Sequence, residues 1–399
     1  MNAQKMFMLA ALVSLGSTAF ADVLLPAGTS AETRASIQAA IDAAACASPV
    51  GTVTLGEGTF EIDAQLVISG GVTVVGQGYK KTIVKQTVEG TDQRVATITD
   101  GSTLRGVTAT GGHTTFNGSY IDKMKGAGLM VVNGTVSECC VTGNVYGNPE
   151  QGKYPQGTTW ASRTVGVGIW IQEGLVERTI VSDNTAYRYD KEKRKMTLDG
   201  AGIGIQNDGA TAPKIDTCLI CNNRIIDIGS PEGYVNFGKG GGIAFERYNS
   251  QKGPLISILN TTVVSNSAID VAGGVYVSTA VQASFTNCIF SDNTVSDGSV
   301  TNVAFKSDKV KNWSMSITSN CLFGNDEEGF GANPLSADPK FRNPAAKDYH
   351  LAGDSPAIGY GTVYDGMLQV DLDGHTRKEK PAVGCYEYAD KKGFVLILR

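Results

Sequence analysis

The chain has 399 residues, of which 49 are Gly and 12 Pro, and a formal net charge of −5. It lacks the basic excess that leaves an electrostatic footprint for nucleic acid. After the N-terminus, no stretch holds the roughly 18 apolar residues that a membrane helix needs.

Residues 1–21 read as an export leader. Lys5 gives a basic start, Met6 to Leu15 is mostly apolar, and Ala19-Phe20-Ala21 has the A-x-A form of a cleavage site. A mature chain is expected to start near Asp22, outside the cytoplasm, with no transmembrane span once the leader is gone. Thr29-x-x-Glu32 is a capping box, and Ile37, Ala40, Ile41 and Ala44 come after it at helical spacing. A helix is therefore expected over about 31–45, covering the open end of the first coil of strands. Next come short β-branched runs set off by glycines: 52–55, 60–62, 66–68, 72–75, 82–84 and 103–108.

From residue 126 a Gly cluster recurs, each time followed by alternating apolar residues. The copies begin at Gly126, Gly166, Gly200, Gly240 and Gly273, and Asn302 to Phe305 is a decayed last copy. Period-two alternation puts Leu129, Ile169, Ile203, Ile243, Val275 and Val303 on one face, taken as core. Met130, Trp170, Gly204, Ala244, Tyr276 and Ala304 then point outward, as do Val132, Gln172, Gln206, Glu246, Ser278 and Lys306.

A second pattern returns six times, at 138–144, 178–184, 217–223, 261–267, 287–293 and 320–326. Aligned, it gives a column of Cys139, Thr179, Cys218, Thr262, Cys288 and Cys321. A second column holds Asn144, Asn184, Asn223, Ser267, Asn293 and Asp326. Repetition of this kind means stacked, equivalent coils with parallel strands about 4.8 Å apart. A column where Thr replaces Cys is set by size, so these cysteines are expected to be buried free thiols. Cys46 and Cys385 lie outside the column and are not expected to meet.

Three successive coils carry insertions after the Asn turn, at 145–165, 185–199 and 224–239. They bring Tyr146, Tyr154, Trp160, Tyr187, Tyr189, Tyr234, Phe237 and the run Lys191 to Lys195. Equivalent insertions fall on one flank. Trp170, Gln172, Gln206, Asp208, Glu246, Arg247 and Tyr276 are expected to line an outward groove beside them. Aromatic faces would stack on sugar rings while amides and carboxylates set orientation.

These repeats resemble the right-handed parallel β-helix of the pectin-lyase-like superfamily, over roughly residues 30–330. The entry Ile37 to Ile41, Gly51 to Leu55 and Gly58 to Phe60 carries that resemblance, with the Gly clusters and Asn turns. The Gly-Gly-apolar and Phe-x-x-Asn signals are also similar to polymorphic outer-membrane protein repeats. Phe290 to Asn293 fits the second signal, whereas Val181 to Asn184 and Ile220 to Asn223 depart from it at the aromatic position. Asp338-Pro-Lys-Phe341, Asp348-Tyr-His-Leu351, Asp354 to Ile358, Asp371-Leu-Asp-Gly374 and Gly384 to Tyr388 resemble a choice-of-anchor-type end module of exported bacterial proteins. The expected class is all-β: a solenoid over 22–330 with a capping helix, a β-rich end module over 331–390, and a short apolar tail over 391–399.

The resemblance implies a secreted or envelope-associated protein: periplasmic, on the outer-membrane surface, or extracellular. Its partner would be a polysaccharide or cell-surface glycan. The alternative on the same scaffold is a polysaccharide lyase or glycoside hydrolase, with Asp208, Glu246 and Arg247 as candidate catalytic groups. No cofactor is expected, and calcium would enter only with a lyase. The three His (His113, His350, His375) lack metal spacing. Asp371-Leu-Asp373 resembles a calcium ligand pair without further acids.

Overall fold

A computed structural model describes residues 23–25, 31–90, 93–115, 125–147, 161–188, 196–206, 209–228, 238–246, 253–278, 281–305, 317–324 and 331–389. The strands form three long parallel sheets, of ten, ten and eight strands. Each full coil contributes one strand to each. In the coil after residue 125 these are Leu129–Val131 in the Gly-led sheet, Gly134–Ser137 in a second sheet and Cys140–Thr142 in the Asn-turn sheet. The next coil repeats the order with Ile169–Ile171, Gly174–Glu177 and Ile180–Ser182, paired in parallel with the strands before. This is a right-handed parallel β-helix, the hand that parallel crossover connections impose.

Helix α1 (Ala31–Ala45) forms where the capping box places it. It buries Ile37, Ile41 and Ala44 against the first coils. Inward side chains fill the solenoid: Val141, Val181, Ile220 and Val263 stack from one coil to the next in the Asn-turn sheet. Toward the C-terminal end, phenylalanines take over. Phe285 meets Phe290 edge-on at 5.6 Å, and Phe290 stacks on Phe323 at 5.5 Å.

The Asn column is a continuous buried hydrogen-bond ladder. The side-chain oxygen of each member accepts from the backbone and amide nitrogens of the one before, from Asn144 through Asn184, Asn223, Asn266 and Asn293 to Asn302. Two positions differ from the sequence alignment. Leu219 pairs with Thr262, so Thr261, not Thr262, is level with Cys218, and Asn266 takes the place expected for Ser267. Among the described residues the ladder runs as far as Asn302, and Asp326, expected in this column, lies outside them. The adjacent doublets Thr261-Thr262 and Asn266-Ser267 admit either frame. Backbone geometry decides between them, because each coil turns through two left-handed residues. Glu138, Arg178, Thr217, Asn260, Asn287 and Asn320 form one such column and Asp183, Asn222, Ser265 and Asp292 the other, with φ between 43° and 56°.

The same frame explains why Thr and Cys interchange. Thr179 and Thr261 donate to the carbonyl two residues back, at 2.8 Å each. Cys139, Cys218 and Cys288 make the same contact with sulfur, at 3.2, 3.3 and 3.4 Å. All eight cysteines are free, Cys46 exposed and Cys385 buried. Burial pushes the Cys139 thiol up to about 12. Denatured without reductant, the protein should therefore titrate with eight thiols per chain. A count of six or fewer would mean that cysteines expected to be free are paired by disulfides.

Leu335–Ser336 extends the Asn-turn sheet, and residues 341–389 then fold back across that sheet's outer face. They cover two outward rows, one with Leu219, Ile289 and Leu322 and the other with Cys221 and Val264. Left-handed turn residues supply the polar contacts. Asn287 exchanges two hydrogen bonds with Thr362, at 2.8 and 2.9 Å, and Asn320 donates to the Tyr360 carbonyl at 3.0 Å. On the opposite margin, Lys347 pairs with Asp183 at 2.6 Å and Tyr349 bonds Asn222. The second sheet has no such cover among the described residues, and its outer rows are accordingly polar: Thr52, Thr73, Thr103 and Thr135 lie in one row.

Candidate functional site

The insertions lie side by side, as their shared place in the repeat requires. Outgoing strands Val145–Tyr146, Thr185–Arg188 and Arg224–Asp227 pair in parallel, and so do returning strands Ala161–Thr164, Met196–Asp199 and Gly238–Lys239. Tyr146, Ala186 and Ile225 from the first set pack with Leu198 from the second into a separate apolar cluster. The insertions thus form a fin with its own small core. Each returning strand enters the Gly-led sheet through a left-handed glycine: Gly126, Gly166, Gly200 and Gly240 have φ of 59°, 51°, 78° and 61°. A Cβ at Gly240 would sit 2.2 Å from the Ile243 carbonyl oxygen, so glycine is favoured there, although the next coil takes the equivalent turn through Ala272 at φ 53°.

The predicted outward row is in register, with Met130, Trp170, Gly204, Ala244, Tyr276 and Ala304 in succession. It is not a solvent face. Trp170 is only 2% exposed and Tyr276 only 4%, so neither can stack on a sugar ring as the sequence suggested. The reason lies in the strands themselves. Ile169-Trp-Ile171 and Val275-Tyr-Val277 are apolar at both parities, the pattern of a sheet buried on both faces.

Two lysines that sequence reasoning missed occupy this outer layer. The Lys125 ammonium lies 4.2 Å from the centre of the Trp170 ring and donates to Gln206 Oε1 at 3.1 Å. The Lys239 ammonium lies 4.7 Å from the centre of the Tyr276 ring and 3.5 Å from its hydroxyl. Both lysines are buried. Removing an ammonium from water costs several kcal/mol, and a desolvated aromatic face returns up to about 2 kcal/mol of that. Asp199, also buried, stands beside Lys239 in register. The sequence signal was available: Lys125, Asp199 and Lys239 each immediately precede the first Gly of a cluster.

What remains accessible is the far margin of the Gly-led sheet. Gln172, Gln206, Glu246 and Ser278 fall in one row, fixed by the pairing of Ile171 with Ile205, Gln206 with Glu246 and Phe245 with Val277. Gln172, Gln206 and Ser278 are half-buried. Beside the row, the Glu173 carboxylate accepts from the backbone of Ala210 and Thr211 and fixes that corner. Tyr187 is half-buried in an outgoing fin strand. Trp160, Tyr189, Asp208, Tyr234 and Arg247 lie outside the described residues.

Among the described residues, no three His, Cys, Asp or Glu gather as a metal site. Asp371, the first of the suspected calcium pair, is fully buried and already committed. Its carboxylate accepts from the backbone of Asp373 at 3.0 Å, His375 at 2.7 Å and Glu387 at 2.8 Å.

No protein-family model and no curated protein matches the chain. Among solved structures it is similar to the Dettilon tailspike protein gp208, at 14% identity and a TM-score of 0.41, covering 87% of this chain and 67% of that one. It is also similar to the A-module of the mannuronan C-5 epimerase AlgE4 of Azotobacter vinelandii, at 15% identity and a TM-score of 0.25, covering 79% and 87%. The β-helix assignment rests on the strand register itself.

Proposed function

We propose that this is an exported β-helix protein that holds a linear polysaccharide along the margin of its Gly-led sheet. The observation that carries the reading is the unbroken row Gln172, Gln206, Glu246 and Ser278. Such a row sets Gln172, Gln206, Glu246 and Ser278 one strand spacing apart, about 4.8 Å, against a polymer with a repeating hydrogen-bonding pattern. Lys125 reaches across the sheet to orient the Gln206 amide. The stacking that Trp170 and Tyr276 cannot provide would have to come from other aromatics, for which Trp160, Tyr189 and Tyr234 are the candidates in the sequence.

Export is part of the proposal. The leader reading ends at Ala21, and the first strand, Val23–Leu25, comes directly after it and pairs with Thr52–Leu55, so cleavage there would leave the first coil intact. The end-module resemblance supports a place at the cell envelope.

The test is binding to a panel of neutral and uronate-containing polymers, with and without calcium, and with assay for product. Wild type should bind at least one polymer. Gln172→Ala should weaken that binding severalfold, by loss of one hydrogen bond worth about 1 kcal/mol, with the melting temperature nearly unchanged. Gln206 is left in place because its amide accepts from the buried Lys125 ammonium. Glu246→Gln keeps shape and hydrogen bonding but removes a proton-transfer group. It should leave a binder within about twofold of wild type. Turnover by wild type that Glu246→Gln abolishes would replace the binding reading with the enzymatic one. No binding to any polymer would end both.

A further inference from the structure

The folded-back segment 341–389 lies as a strap across the Asn-turn sheet, and it carries a charge into the seam. Arg377 is only 7% exposed. Its Nη2 donates to Thr217 Oγ1 at 3.4 Å and to the Gly384 carbonyl at 3.2 Å. Its Nε and Nη1 are buried as well and meet no acceptor among the described residues. On the solenoid side of the seam, Asp216 is fully buried. Its Oδ1 accepts from Thr217 Oγ1 at 2.9 Å and from the Asn260 amide at 3.3 Å, and its Oδ2 lies 2.9 Å from the Lys214 ammonium. The Asn260 amide also donates to the Tyr364 hydroxyl oxygen of the strap, which leaves Tyr364 its own O–H to donate. Arg377 and Tyr364 thus meet one solenoid cluster, Asp216 with Thr217 and Asn260, and Tyr364 feels the charges of both Asp216 and Arg377.

We infer that this seam binds one small monovalent anion, a halide or a carboxylate the size of formate, held by Arg377 and Tyr364. Two guanidinium donors and a phenol O–H ask for a ligand that only accepts. Water would satisfy the donors but not the charge. A guanidinium cannot shed its proton, and a charge taken out of water needs a partner of opposite sign. A buried polar group left over in a folded protein is a marker for an ordered water or an ion. The charges set the valence. Lys214 and Asp216 cancel each other, so Arg377 leaves one positive charge over. The strap's own buried carboxylates are turned to backbone: Asp371 accepts from Asp373, His375 and Glu387, and Glu387 accepts from Ala382 at 3.1 Å. Burial sets the size, since both spare guanidinium nitrogens are shut off from solvent. The anion joins strap to solenoid, because Arg377 and Tyr364 belong to the one and Thr217 and Asn260 to the other.

The test is urea unfolding in sodium chloride, sodium formate and sodium gluconate at equal ionic strength, gluconate being too large for the seam. Chloride or formate should shift the unfolding equilibrium toward the folded protein about tenfold over gluconate, the effect of a ligand present at about ten times its Kd. Arg377→Met removes the charge that the anion answers, and its response should be less than about twofold. Tyr364→Phe removes one donor and keeps the ring, and should retain a response of about threefold. A response to chloride alone or to formate alone supports the site and tells halide from carboxylate. No difference among the three salts in wild type would overturn the inference. An equal response in Arg377→Met, or an undiminished one in Tyr364→Phe, would mark a salt effect made elsewhere in the molecule and overturn it as well. Should Arg377→Met fail to fold, the Tyr364→Phe comparison decides alone.

Discussion

Asn223→Ala is expected to destabilise the protein by about 4 kcal/mol. The Asn223 side-chain oxygen accepts from the backbone and amide nitrogens of Asn184, at 3.1 and 2.9 Å. Its amide donates to the Val181 carbonyl and to Asn266 Oδ1, both at 2.9 Å. All of this is fully buried. Alanine strands two donors of Asn184 in a place that water cannot reach, at about 1–3 kcal/mol each, and leaves two acceptors short of a partner. Asn133→Ala is the control, since Asn133 is exposed at a corner and should change stability by less than about 0.5 kcal/mol. Urea unfolding followed by circular dichroism makes the comparison. Equal midpoints for the two variants would show that the ladder contributes nothing.

Trp170→Ala is expected to cost about 3–5 kcal/mol, as for other buried tryptophans. A cavity opens between the Gly-led sheet and the fin, and the Lys125 ammonium loses the ring it lies against. Among the described residues the indole N–H has no hydrogen-bond acceptor, so Trp170→Phe should be far milder, below about 1.5 kcal/mol. Lys125→Met removes the buried charge and should itself be nearly neutral. In that background Trp170→Ala should cost measurably less, because no ammonium is left exposed to a void. Thermal melts of the four proteins complete the double-mutant cycle. A Trp170→Ala protein that melts with wild type would return Trp170 to the surface and restore the wider groove.

Much of the fold was legible because repetition multiplies weak signals. Helix α1 follows from one capping box and four apolar positions. The Gly-led strands align without error, since four of them follow a left-handed glycine, and Ala272 takes the same position before Val275–Val277. The Asn column was legible in type, and it slipped by one residue only where Thr261-Thr262 and Asn266-Ser267 offered two equivalent frames. The site was less legible. Alternation tells which side chains share a face, but not whether a second layer covers that face. Here the clue lay in the composition of both parities: Leu219-Ile-Cys221 and Ile169-Trp-Ile171 have no polar face at all. Sheets built from such strands require a cover, which the strap supplies in one case and the fin in the other. Lys125 and Lys239 were missed because a lone lysine before a glycine reads as a solvated loop residue until the register shows an aromatic beside each.

The claim that polymer lies along the margin of the Gly-led sheet is tested most directly by backbone hydrogen exchange, with and without the polymer identified by the binding panel. Protection should appear at residues 172–173, 206–211, 246–248 and 278–280, and in the fin loops. The second sheet and the strap should exchange as before. Protection confined to the row of Thr52, Thr73, Thr103 and Thr135, or to the strap, would place the polymer on another face and contradict the proposed site.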